Sequence, residues 1–153
     1  MFELQEGTFA GVSLHGVRFG ISSRAGSRAI LYLPPALPEA QRQAVTKFAI
    51  HVLALEPTPL LAVLTVPVQL EFSPTGGSAR AGSDTELVVN LLHGPDGKSP
   101  ITVLHPWIFG PFPITSSQKG ISVTLRARGP GLSFDYHGTN ANDAVFEESS
   151  PHR

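Results

Sequence analysis

Only one stretch of this chain spaces its apolar residues for a helix; almost everywhere else they recur at every second position between glycines and prolines. From Pro38 to about Leu55, the residues Val45, Phe48, Ala49 and Val52 fall at i, i+3, i+4 and i+7, while Arg42, Gln43 and Lys47 lie off that stripe. The spacing predicts an amphipathic helix lying against a sheet. Pro38 suits a first helical position, where its φ is already set and its missing N–H needs no partner, and Glu39 favours the positive end of the helix dipole. Glu56-Pro57-Thr58-Pro59 stops the helix, because proline pushes the residue before it out of helical geometry. A short helical turn is expected over residues 60–64.

The rest reads as strands. Val12 and Leu14, then Val17, Phe19 and Ile21, then Ala29, Leu31 and Leu33 run at period two, punctuated by Gly16, Gly20 and Gly26. This predicts two or three strands, with Arg24-Ala25-Gly26-Ser27-Arg28 as a hairpin turn. Residues 65–72 read as one strand with Val66, Val68, Leu70 and Phe72 on one face, and Pro67, which cannot donate to a ladder, makes it an edge strand or one whose N–H side is unpaired there. Residues 78–80, 86–92, 101–104, 121–125 and 132–136 follow, separated by glycine-bearing turns. The expected fold class is α+β, a mostly antiparallel sheet of about 8–10 strands packed by the one main helix. Helices do not alternate with strands, which argues against a doubly wound parallel sheet. At 153 residues the chain suits a single core. Residues 1–146 are read as one globular α+β domain and 147–153 as a flexible tail.

Composition narrows the function. The formal charge of −1 supplies none of the positive field that a phosphate backbone selects, so nucleic acid is not an expected partner. With no cysteine there is no disulfide, thiol nucleophile or cysteine metal site. The apolar runs near residues 60–70 and 101–114 are broken by proline and fall short of the about 20 residues an integral membrane span needs. Acidic residues in Met1-Phe2-Glu3-Leu4-Gln5-Glu6, where a leader peptide carries basic ones, give a cytoplasmic expectation.

Two segments are candidates for function. Ser99 to Gln118 is twenty residues without Asp, Glu, Lys or Arg, and it contains Trp107, Ile108, Phe109 and Phe112 among four breakers. Such a segment either lids the core, faces a protein partner or walls a pocket; a charge-depleted aromatic patch is what the centre of an interface looks like. The second candidate is the ending. Asp135 and His137 share one side of a strand, so the carboxylate could orient an imidazole for acid–base work, with His105, Asn140 and Trp107 around a pocket. The plainer reading has Asp135, Asn140 and Asn142 shaping a turn that Phe134 or Tyr136 pins to the core. None of the six histidines has metal-ligand spacing, and no glycine-rich phosphate cradle is present, so no metal, cofactor or catalytic residue is assigned.

The stretch Phe134-Asp135-Tyr136-His137-Gly138-Thr139-Asn140-Ala141-Asn142-Asp143-Ala144-Val145-Phe146 resembles the recurrent Trp-Asp-Tyr-Ser-Gly-Lys-Asn-Gly-His-Tyr-Ala-Pro-Phe of the domain of unknown function 1326 family of bacterial proteins. Leu37-Pro38-Glu39-Ala40-Gln41-Arg42-Gln43-Ala44 is similar to that family's Thr-Pro-Glu-Gln-Arg-Glu-Ala, the strand after Pro67 fits its order of elements, and Glu6-Gly7 through Gly16 is similar to the stretch that precedes them. The resemblance implies a shared scaffold. It does not carry over the family's cysteine-rich N-terminal segment, and Asn142 and Val145 stand for the histidine and proline of the motif. The expectation is therefore a non-catalytic protein-interaction or accessory domain, partnered by another protein or by its own copies through Trp107–Phe112. A small enzyme or ligand-binding protein using His105, Asp135, His137 and Asn140 is the alternative.

Overall fold

The strand Arg28–Leu33 (β5) organises the molecule, because Ala29, Ile30, Leu31, Tyr32 and Leu33 are all buried. Successive strand residues point to opposite faces, so an unbroken buried run belongs to a middle layer with cover on both sides. Leu31 and Leu33 join Leu14, Val17, Phe19, Ala44, Val45 and Ala49 on one side, while Ile30 and Tyr32 join Ala81 and Leu132 on the other. The structure, a computed structural model, describes residues 1–24, 28–51, 60–104, 114 and 116–145.

Three layers result. The middle one is a four-stranded sheet in the order β1 (Phe2–Leu4), β4 (Val17–Arg24), β5 and β6 (Leu60–Thr65). Its first cover is the helix α1 (Glu39–His51), with the small hairpin β2 (Thr8–Phe9) and β3 (Val12–Ser13) beside it. Its second cover is a seven-stranded sheet made of β7 (Val68–Ser73), β8 (Gly76–Ala81), β9 (Thr85–Leu91), β10 (Thr102–Leu104), β11 (Ser116–Gly129), β12 (Leu132–Tyr136) and β13 (Asn140–Asp143). Among the described residues only β5 and β6 pair in parallel, and the crossover between them contains α1. In the larger sheet β11 is the spine: β9 and β10 follow one of its edges, β12 and β13 the other.

The α+β expectation is overturned. Among the described residues there are thirteen strands against one 13-residue helix, so the protein is mainly β and built of several sheets. One helix buries one stripe, and α1 covers one face of four strands; the remaining apolar faces close by packing sheet on sheet. Two local expectations fail with it. Residues 60–64 are strand, not helical turn, and the run 65–72 is two strands in different sheets. Pro67 makes the switch: Val66 N–H still donates to Leu33 O (3.0 Å) in the middle sheet, whereas Pro67 O accepts from Gly82 N–H (2.9 Å) in the larger one. The expected end of the helix at residues 52–55, the turn tip at 25–27 and the tail at 147–153 lie outside the described residues.

One polar contact spans the apolar seam between the sheets. Thr85 Oγ1 donates to the Tyr32 hydroxyl at 3.0 Å, with both residues buried. Tyr32→Phe is expected to cost about 1–3 kcal/mol, because it leaves the Thr85 hydroxyl buried without an acceptor. A urea-denaturation cycle with Thr85→Val checks this: the double variant should lose less than the sum of the singles. Strict additivity would mean that the contact contributes nothing.

Candidate functional site

The ending Phe134–Asp143 folds as β12, a three-residue break and β13, both pairing with β11. The break answers a bulge: the pairing of β11 with β9 shifts between Ser122 and Thr124, leaving Val123 as the extra residue. Opposite it, Gly138 takes φ +68°, the left-handed region that glycine enters without a Cβ penalty. Buried Ser122 closes the joint. Its Oγ accepts from Thr139 N–H (3.1 Å) and lies 2.6 Å from Thr139 Oγ1, its N–H donates to Thr139 O, and its C=O accepts from Gly138 N–H. His137 Nδ1 donates to Val123 O at 2.7 Å. The polar groups of this segment are thus engaged in joining strands, though through Ser122, His137 and Thr139 rather than through Asp135, Asn140 and Asn142.

Asp135 and His137 do come together, with Nε2 3.4 Å from Oδ1 and Arg128 Nη2 3.9 Å from Oδ2. With Nδ1–H given to Val123, Nε2 has a proton to share with Asp135 only in the imidazolium form. All three side chains face solvent, and exposed pairs of this kind are worth about 0–1 kcal/mol. Asp135 ends a row in cross-strand register, Arg80–Glu86–Arg126–Asp135, whose signs alternate. Glu86 holds both arginines, at 2.7 Å to Arg80 and 3.3 Å to Arg126, so its carboxylate is engaged in cross-strand ion pairs. A polar concavity of about 260 Å³ beside this row is lined by Arg80, Gly82, Ser83, Thr85, Glu86 and Arg126, and does not include Asp135, His137 or Asn140. Asn140 sits on β13 opposite Ile121. His105, Trp107, Ile108, Phe109 and Phe112 lie outside the described residues. Among the described residues no three His, Asp or Glu side chains group to hold a metal.

The opposite face of the larger sheet is apolar. Register sets Leu70, Ala79, Leu87, Leu125 and Tyr136 in one row across five strands, with Phe72 and Val89 in the next. The middle layer packs on Val68, Ala81, Leu132 and Phe134; past that cover, Leu87, Val89 and Leu125 are half-buried, Tyr136 is 45% exposed and Phe72 63% exposed. Phe134 and Tyr136 stack at 5.5 Å along this face. Phe72 is the residue that sequence reasoning missed as a contact candidate. The signal was present in the alternation of Val68, Leu70 and Phe72 on an edge strand, but the reach of the covering layer is not written in that run. Against family models, curated proteins and solved structures the chain finds no match, and the resemblance of the ending rests on its residues alone.

Proposed function

We propose that this protein acts by binding protein, without chemistry of its own, through the open edge of its larger sheet and the partly exposed apolar residues Phe72 and Tyr136. The observation that carries this reading is Phe72, a phenylalanine 63% exposed on edge strand β7, beside an apolar row that runs from buried Leu70 and Ala79 through half-buried Leu87 and Leu125 to exposed Tyr136. Fully burying such a ring is worth about 1.5–3 kcal/mol, and interface centres are rich in aromatics and poor in charge. The uncharged stretch 99–118 with Trp107, Ile108, Phe109 and Phe112 adds to the proposal by composition.

A photo-reactive phenylalanine analogue at position 72, irradiated in the native cells, should give a discrete protein adduct. The same probe at exposed Gln43 on α1 should give none. No adduct at 72, or equal adducts at both positions, would overturn the reading.

A further inference from the structure

We infer that the partner is a second copy of this chain: β7 pairs antiparallel with its own counterpart about a two-fold axis at Leu70, and Phe72 of each copy enters a concavity beside Val68 of the other. The inference rests on the protein-binding reading above and names its occupant.

The free backbone groups of β7 follow from its pairing. Pro67 O accepts from Gly82 N–H, and the same register runs on through Val68↔Ala81, Leu70↔Ala79 and Ser73↔Gly76. Antiparallel pairs alternate between hydrogen-bonded and non-hydrogen-bonded, so Gln69, Glu71 and Ser73 turn their main-chain groups toward β8 while Val68, Leu70 and Phe72 turn theirs to the outer edge. Gln69, Glu71, Phe72 and Ser73 are exposed. Natural edges are guarded by lysine, proline, bulges or inward charges. Within Val68-Gln69-Leu70-Glu71-Phe72-Ser73 there is one charge and none of the other devices, and Pro67 and Pro74 close the strand at both ends.

Those limits select one register. Apolar side chains stay on the apolar face only where paired residue numbers sum to an even value, since a one-residue slip exchanges the faces. Centring on Glu71 sets two carboxylates directly opposite, which is unfavourable. Centring on Gln69 leaves Phe72 beyond the pairing. Centring on Leu70 uses all three outward-turned residues, about six new hydrogen bonds in total. It sets Glu71 against Gln69 and Phe72 against Val68.

Beside Val68 the surface is hollow. A concavity of about 300 Å³ there has an apolar side that includes Val68, Pro34 and Leu37 and a polar side with His15, Arg18 and Gln41, at the end of the strand where the register delivers the other copy's Phe72. The ring that is too exposed in one copy and the hollow left open in the same copy are thus complementary across a two-fold axis, as an isologous interface requires.

The chain contains no cysteine, so the register can be read directly. Gln69→Cys and Glu71→Cys are both on exposed positions of the polar face. In the inferred dimer residue 69 faces residue 71 of the other copy in a non-hydrogen-bonded pair with Cα atoms about 4.5 Å apart, inside disulfide range, whereas like positions stand about 8 Å apart diagonally. Purified wild type should have the native mass of a dimer at tens of micromolar. Under mild oxidation an equal mixture of the two variants should cross-link, and either variant alone should not. Phe72→Asp, with an unchanged circular dichroism spectrum, should weaken the dimer more than about tenfold. A monomer, or a dimer in which one variant cross-links with itself, would overturn the inference. A monomer combined with a photo-adduct from position 72 to a different protein would overturn the self-pairing alone; no adduct at all would remove the protein-binding reading with it.

Discussion

Phe19→Ala is expected to destabilise the protein by about 3–5 kcal/mol, enough to unfold a marginal domain. Phe19 is fully buried in the middle sheet, facing the helix layer. It stacks on Phe2 at 4.9 Å and meets Phe48 edge-on at 6.3 Å, so truncation opens a cavity between β1, β4 and α1 that no flexible neighbour fills. Denaturant titration reads the loss as a fall in midpoint at unchanged slope. Phe72→Ala is the paired measurement. Its ring lies over Gly77 of β8 but is 63% exposed, so truncation opens no enclosed cavity and the intrinsic stability of the monomer should move by no more than about 0.5 kcal/mol. A cost below about 1 kcal/mol for Phe19→Ala would contradict the layer arrangement, since the same residue type would then matter equally little inside and out.

What was legible in the sequence is what depends on neighbours along the chain. The stripe Val45, Phe48, Ala49 gave the helix, which begins at Glu39 with Pro38 O accepting from Arg42 N–H. Glycine-bearing turns marked the hairpins; in one of them Asp96 accepts from the Ser99 hydroxyl and from the N–H groups of Lys98 and Ser99, which lowers its pKa from 3.8 to about 2. Pro67 was legible as an obstacle to a ladder, but its use as the crossing from one sheet to another depends on Leu33 and Gly82, neither of them near it in sequence. Period two placed Leu31 and Leu33 together; that Ile30 and Tyr32 are equally buried follows from a second sheet arriving from residues 68 to 136. The same limit applies to function. Alternation put Asp135 and His137 on one side, while the exposure of both and the engagement of Glu86 by two arginines are products of cross-strand register.

Ser122→Ala is the second large effect expected, about 1–3 kcal/mol, from deleting one oxygen atom. The residue is 1% exposed, and its hydroxyl is the acceptor for Thr139 N–H. Its removal leaves Thr139 N–H without its acceptor and the Thr139 hydroxyl without its partner, two polar groups at a part-buried joint between β11 and the 137–139 break. Thr139→Val removes one of those needs in advance, so Ser122→Ala should cost less in that background, and the cycle isolates the side-chain coupling from the backbone bonds of Gly138 and Ser122. The effect should extend to the binding face. The joint at Ser122 fixes where β12 ends, and with it Tyr136, stacked on Phe134 at the far end of the apolar row that begins on β7. Loosening the joint should therefore speed amide exchange in β12 and β13 before it affects β5, whose backbone is covered on both sides. Equal acceleration in β5 would mean that the larger sheet has no local opening of its own, and that its apolar face and the core between the layers unfold as one unit.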